Sequence, residues 1–224
     1  MTNISYYGLS MVADEALEKR VANTIKKLLP TDGIFNFYFH TRYPDQLSAD
    51  TLSAVLRIKA ERNDLCIRTI LVVTDTKVED PGFDEIVVAP NMSEGAYFLT
   101  NVKRAKKWII EQADYLFMYL YPSIYNGDRD VLACIQNRVK AGKLSLLNIA
   151  DDRLSSLIAE QIPKLRERLR FVHEEVMSGK TFRELAEEMS VTPRRARDLF
   201  NESCRALRIL TYQALIKKQN PTSK

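Results

Sequence analysis

The sequence predicts an α/β fold, a mostly parallel sheet with helices on both faces, followed by a small all-α helix-turn-helix domain. Three observations predict it. Over residues 1–150, six short apolar runs alternate with four longer stretches of helical periodicity, the pattern of strand–helix–strand units. The runs are nearly continuously apolar, as strands covered on both faces require. From residue 151 onward only helical patterns remain.

The expected strands are "NISYYG" (3–8), "FNFYFH" (35–40), "IRTILVV" (67–73), "EIVVAP" (85–90), "YLFMYLY" (115–121) and "LSLLNIA" (144–150). Helical patterns fall at 12–29, 47–63, 97–113 and 128–141. Folds of this class hold ligands outside the carboxyl ends of the strands. The candidate ligand-binding residues are therefore those just after strands: Gly8, Ser10, His40, Arg42, Asn126 and Gly127. His40 stands at a strand end beside Arg42, where it could meet an anion; a hydrogen-bonded structural histidine is the alternative. The boundaries expected are 1–150 for the sheet domain, 151–218 for the helical domain, and a disordered tail at 219–224.

"DDRLSSLIAEQIP" (151–163) continues as helix, and Pro163 starts or kinks the next one, expected over Lys164–Ser178 with Leu165, Leu169, Val172 and Val176 inward. "TFRELAEEMSVTPRRARDLF" (181–200) then reads as helix, tight turn, helix. Thr181 and Glu184 make a capping box. Thr192 followed by Pro193 is a second N-cap with proline at the first helical position. Leu185 and Ala186, then Ala196, Leu199, Phe200, Ser203 and Leu207, fall on inward faces. Arg194, Arg195, Arg197, Asp198, Asn201, Arg205 and Arg208 are left outward or at the rim. No glycine stands at the turn, so Ser190 or Met189 must take that place.

The charge supports a nucleic-acid module at this end. Residues 1–150 hold 18 basic and 18 acidic side chains, and residues 151–224 hold 15 and 11. The whole excess of +4 therefore lies in the helical part. From Arg194 to Lys224 there are eight basic and two acidic residues, a net +6. A neutral front with a basic end suits a DNA-binding module on a domain of other function.

Residues 181–208, "TFRELAEEMSVTPRRARDLFNESCRALR", resemble region 4 of bacterial sigma factors, the helix-turn-helix that reads promoters. The likeness rests on Thr181, Glu184, Leu185, Val191, Thr192, Arg195, Arg197, Arg205, Leu207 and Arg208. It implies a recognition helix entering the major groove, with Thr192, Arg194, Arg195, Arg197, Asp198, Asn201, Arg205 and Arg208 as the DNA-binding set. The Arg-Glu pair common at the start of that helix is here Pro193-Arg194, and a nearby glutamine is Asp198. The resemblance thus implies the docking frame with a different target sequence.

The front domain resembles the Rossmann-like SLOG superfamily of DprA and the LOG hydrolases, above all its YpsA-type bacterial members. The stretches that carry this are "FYFHTRYPDQLSADTLSAVLRIKAE", "FDEIVVAP" and "NVKRAKKWIIEQADYLFMYLYPSIYNGDRDVLACIQNRVKAGK". That family has a glycine-rich loop after its second strand, where this chain has "HTRYPDQ". The LOG hydrolases carry Pro-Gly-Gly-x-Gly-Thr-x-x-Glu where this chain has "YPSIYNGDRDVL". With the hydrolase motif absent, LOG-type glycosidic hydrolysis is not expected, and no cofactor is expected beyond a nucleotide-like ligand.

The functional expectation is a DNA-binding transcriptional regulator with a Rossmann-like sensor or oligomerisation domain. The alternative is a nucleotide-derivative binder or enzyme of the SLOG superfamily whose helical tail mediates dimerisation or docking. Double-stranded DNA is the expected partner, with RNA polymerase and a second copy of the chain as further candidates. Cys66, Cys134 and Cys204 have neither metal nor redox spacing and read as small buried residues of a reduced cytoplasmic protein. No apolar run reaches membrane-spanning length, and no metal site is expected.

Overall fold

The computed structural model describes residues 1–8, 16–29, 32–40, 46–74, 82–90, 92, 98–121, 123–124 and 128–219. The candidate ligand residues Ser10, Arg42, Asn126 and Gly127, and residues 220–224 of the expected tail, lie outside the described residues.

Six strands form one all-parallel sheet: β1 (Thr2–Gly8), β2 (Ile34–Phe39), β3 (Cys66–Val73), β4 (Glu85–Val88), β5 (Tyr115–Tyr119) and β6 (Ser145–Asn148). Their order is β4-β3-β2-β1-β5-β6. The chain winds outward from β1 to β4, returns beside β1 as β5, and winds the other way. That reversal makes the crevice between the carboxyl ends of β1 and β5 the topological switch point of a Rossmann-like fold.

The helices α1 (Leu17–Leu28), α2 (Gln46–Glu61), α3 (Phe98–Gln112) and α4 (Arg129–Lys140) cover the sheet. α1 packs on α2, and α3 on α4. Alternation along β2 distributes its side chains between the two layers. Phe39 meets Tyr6, whose hydroxyl donates to Ser48 of α2 at 2.8 Å. Tyr38 instead packs edge-on against Trp108 of α3. The central strands are buried on both faces: Ile4 and Tyr6 against Ser5 and Tyr7 in β1, Phe35, Phe37 and Phe39 against Asn36 in β2, and Leu116 against Phe117 and Tyr119 in β5. The edge strands β4 and β6 are partly exposed.

The remainder is helical: α5 (Asp152–Ala159), α6 (Glu167–Met177), α7 (Phe182–Glu188) and α8 (Pro193–Gln219). The helix expected from Lys164 begins later. Ile162–Lys164 form a 3-10 turn around Pro163, Leu165 is extended, and α6 starts at Glu167. Pro163 sits at the start of this 3-10 turn and not of α6, in a first-turn position where its fixed φ fits and its missing N–H costs nothing.

By contact density the chain divides into two units, the sheet with α1–α4 and the helical part from Ala150 onward. Leu120, Tyr121 and Ile124, just past β5, group with the helical unit. Among the described residues no helix is long and apolar enough to cross a membrane.

Candidate nucleic-acid interface

Three helices build the site around one small core. Val172 of α6, Leu185 and Ala186 of α7, and Ala196, Leu199, Phe200 and Cys204 of α8 are buried together. Phe182 at the start of α7, and Met189 and Val191 in the turn after it, pack on them. Lys180 ties α6 to α7, bonding Glu175 at 2.5 Å and Glu188 at 2.6 Å. These two acceptors push its pKa up to about 12.

Both caps expected from the sequence form. The Thr181 hydroxyl accepts from the Glu184 amide at 3.3 Å, and Oε2 of Glu184 accepts from the Thr181 amide at 2.8 Å. The hydroxyl of Thr192 accepts from the Arg195 amide at 3.2 Å, with Pro193 opening α8. Between the helices, Ser190 takes φ of 53°, the left-handed conformation that glycine adopts without cost. The Ser190 amide donates to Glu187 O, and the Val191 amide to Ala186 O at 2.9 Å. This paired closure ends α7 and turns the chain into α8.

α8 is sorted by burial in the way the periodicity predicts. Ala196, Leu199, Phe200, Ser203 and Leu207 are buried, while Thr192, Arg194, Arg195, Arg197, Asp198, Asn201 and Arg205 are exposed. Arg194, Arg197, Asp198, Asn201 and Arg205 recur at three- and four-residue steps, so they share one outward stripe. The guanidinium of Arg197 lies over the Phe182 ring at 5.5 Å, held by a cation–π contact. Arg195, on the flank, pairs with Glu202 at 2.9 Å. Arg208 differs from the rest: half-buried, it donates to Ile124 O from Nε at 3.1 Å and from Nη2 at 2.7 Å.

His173 lies wholly inside this unit. Its Nδ1 is 3.0 Å from Oγ of Ser203, and its ring stacks on Phe200 with centroids 5.5 Å apart. Burial pushes the imidazole pKa down, although neighbouring Glu174 pulls the other way.

At the carboxyl ends of β1 and β2 the structure describes Gly8 and His40. Gly8 is paired in register with Tyr119, and a Cβ there would stand 2.0 Å from the Tyr119 carbonyl oxygen. Close approach of β1 to β5 thus requires glycine at this place without reference to a ligand. His40 stacks on Tyr6 at 5.2 Å. The residue keeps part of its surface open, yet desolvation, and then the charge of Lys106, push the imidazole pKa down to about 3. A neutral imidazole here offers hydrogen bonds to a ligand and no positive charge. Nearby, the Asp128 amide donates to the Tyr7 hydroxyl at 2.9 Å, and Lys103 pairs with the Asp128 carboxylate at 2.9 Å. Asp128 is the N-cap of α4, and "KRAKK" supplies its ion-pair partner.

Two features escaped the sequence. The Arg208–Ile124 contact spans 84 positions, and no local pattern announces a guanidinium aimed at a distant carbonyl. The His173–Ser203 pair had a weak signal: Ser203 fell on the inward face, where a hydroxyl needs a partner.

Among the described residues no cluster of three or more His, Cys, Asp or Glu side chains could hold a metal ion. No protein-family model matches the chain, and no curated protein sequence does.

Proposed function

We propose that this chain is a DNA-binding transcription regulator, with a helix-turn-helix that reads the major groove and a Rossmann-like domain that senses a ligand or drives oligomerisation. The observation that carries the reading is the exposed stripe of α8, which begins in the first turn of a capped helix and is set outward by a packed core. The first turn of the second helix is where helix-turn-helix proteins touch base edges.

In this reading Arg194 and Arg197 meet bases, Arg197 already held in place by Phe182. Asp198 and Asn201 lie beside them on the stripe, and Asn201 can pair with adenine. Arg205, about 16 Å further along the axis, meets phosphate. The likeness to sigma region 4 supports the docking frame, and the likeness to SLOG domains supports a nucleotide-like ligand at the β1–β5 crevice. The test is selection of bound duplex from a random library at two salt concentrations. Recovery of a defined sequence, bound more weakly at the higher salt, is expected. Failure to retain any duplex at the lower salt would end the reading.

A further inference from the structure

We infer that Arg208 is a positioning residue that couples the β5–α4 connection to the DNA-reading helix, and is not itself a phosphate contact. The inference rests on the DNA-binding reading above and concerns how that site is regulated.

The connection follows Tyr119, the last residue of β5. Its middle belongs to the helical unit. Ile124 and Tyr121 are buried, 1% and 4% exposed. The backbone of Ile124 is used twice: its amide donates to Tyr121 O at 2.9 Å, and its carbonyl receives both Arg208 bonds. The Tyr121 hydroxyl accepts from the amide of Asp151, the N-cap of α5, at 2.7 Å. α5 in turn packs on α8.

A planar guanidinium that gives two parallel donors to one carbonyl is sensitive to that carbonyl's position, because a shift of about an ångström weakens both bonds. Arg208 lies 14 residues beyond Arg194, about 21 Å along the same continuous helix. A displacement of the Ile124 turn therefore bears on the helix that carries the reading stripe. By linkage the reverse also holds, so DNA bound at the stripe changes the stability of the Ile124 turn.

The phosphate-contact reading makes a different statement. There, Arg208→Ala lowers the logarithmic salt slope of DNA binding by about one, and Arg208→Lys keeps the slope. The coupling reading leaves the slope unchanged in both variants.

The experiment measures amide hydrogen exchange at Ile124 in the full chain, with and without the duplex recovered by selection, alongside the salt slope. In the parent chain DNA is expected to slow exchange at Ile124 about fivefold or more, the low end of ordinary coupling. Arg208→Ala should abolish that response while the slope stays constant. Arg208→Lys, which keeps the charge and loses the fork, should retain only part of it and guards against misfolding of the alanine variant. Binding without any change at Ile124, or a slope reduced by one in Arg208→Ala, overturns the coupling and leaves the DNA reading standing. A parent chain that binds no duplex defeats both.

Discussion

Nδ1 of His173 lies 3.0 Å from Oγ of Ser203, and that hydroxyl donates onward to Phe200 O at 2.7 Å. The serine proton is thus committed, so Nδ1 must carry the imidazole proton and Nε2 is the bare acceptor. Nε2 is buried without a hydrogen-bond partner. Protonation there would place an uncompensated charge in the core, which accounts for the lowered pKa.

Both histidines should therefore make folding acid-sensitive. Each has a folded pKa below its ordinary value of 6.5, that of His40 at about 3. As pH falls below about 6.5 the unfolded chain takes up protons that the folded chain refuses, so stability drops. Above that value their contribution is fully present. The slope is at most about 1.4 kcal/mol per pH unit for each histidine. Thermal unfolding between pH 7.5 and 5 should reveal the fall, and His173→Phe should reduce it. A flat profile would contradict the neutral state of the two imidazoles.

Ser203→Ala should destabilise the helical unit by about 1–3 kcal/mol, the cost of a buried donor left without its acceptor. Denaturant unfolding followed by helical signal measures it. A change of a few tenths would mean the pair is not formed.

Ser190 occupies a left-handed position that costs a residue with a Cβ about 1–2 kcal/mol. After the greater entropy loss of glycine on folding, Ser190→Gly should still stabilise by about 0.5–1 kcal/mol. Ser190→Val should destabilise, since a branched side chain fits that φ worst. Midpoints of chemical unfolding should separate the two in opposite directions.

Arg194→Ala or Arg197→Ala should relax base preference, each guanine contact being worth about 1–3 kcal/mol of discrimination. Arg205→Ala should weaken binding to every sequence equally and reduce the salt slope by about one. Thr192→Ala should cost about 1 kcal/mol of stability through the lost cap and leave preference intact. Competition binding against the selected duplex and its single-base variants distinguishes these outcomes. A double variant of Arg194 and Arg197 that binds as selectively as the parent would reduce the cluster to a solvated face.

The three thiols should react in a set order. Of the three cysteines expected to be buried only Cys204 is, in the helical core, its pKa pushed up to about 11 by burial; Cys66 is exposed, on a strand at whose start the sheet opens to solvent, and Cys134 is half-buried. A maleimide at pH 7.5 should label Cys66 first and Cys204 only after unfolding, because the thiolate is the nucleophile. Mass spectrometry of timed digests reads the order.

The helix-turn-helix was legible nearly residue by residue because its signals are local. Thr181, Glu184, Thr192 and Pro193 each act within four residues of their own position, and Leu185, Ala196, Leu199 and Phe200 follow the helical period. The sheet was legible as strands for a similar reason. Long apolar runs such as "IRTILVV" have no other way to satisfy burial on both faces. The order of those strands is another matter. That β5 lies beside β1 and not beside β4 depends on pairing between segments more than a hundred residues apart, and sequence periodicity carries no record of it.

Arg208 shows the division most sharply. Its place on the outer side of a helix follows from spacing alone, and spacing assigned it to the same class as Arg194 and Arg205. Only the folded chain brings Ile124 O within reach of its two donors. Local physical chemistry, meaning caps, period and turn conformation, is written within a few residues and can be read there. A hydrogen bond across 84 positions exists only when two separately determined segments arrive at one place, and that arrival is decided by packing.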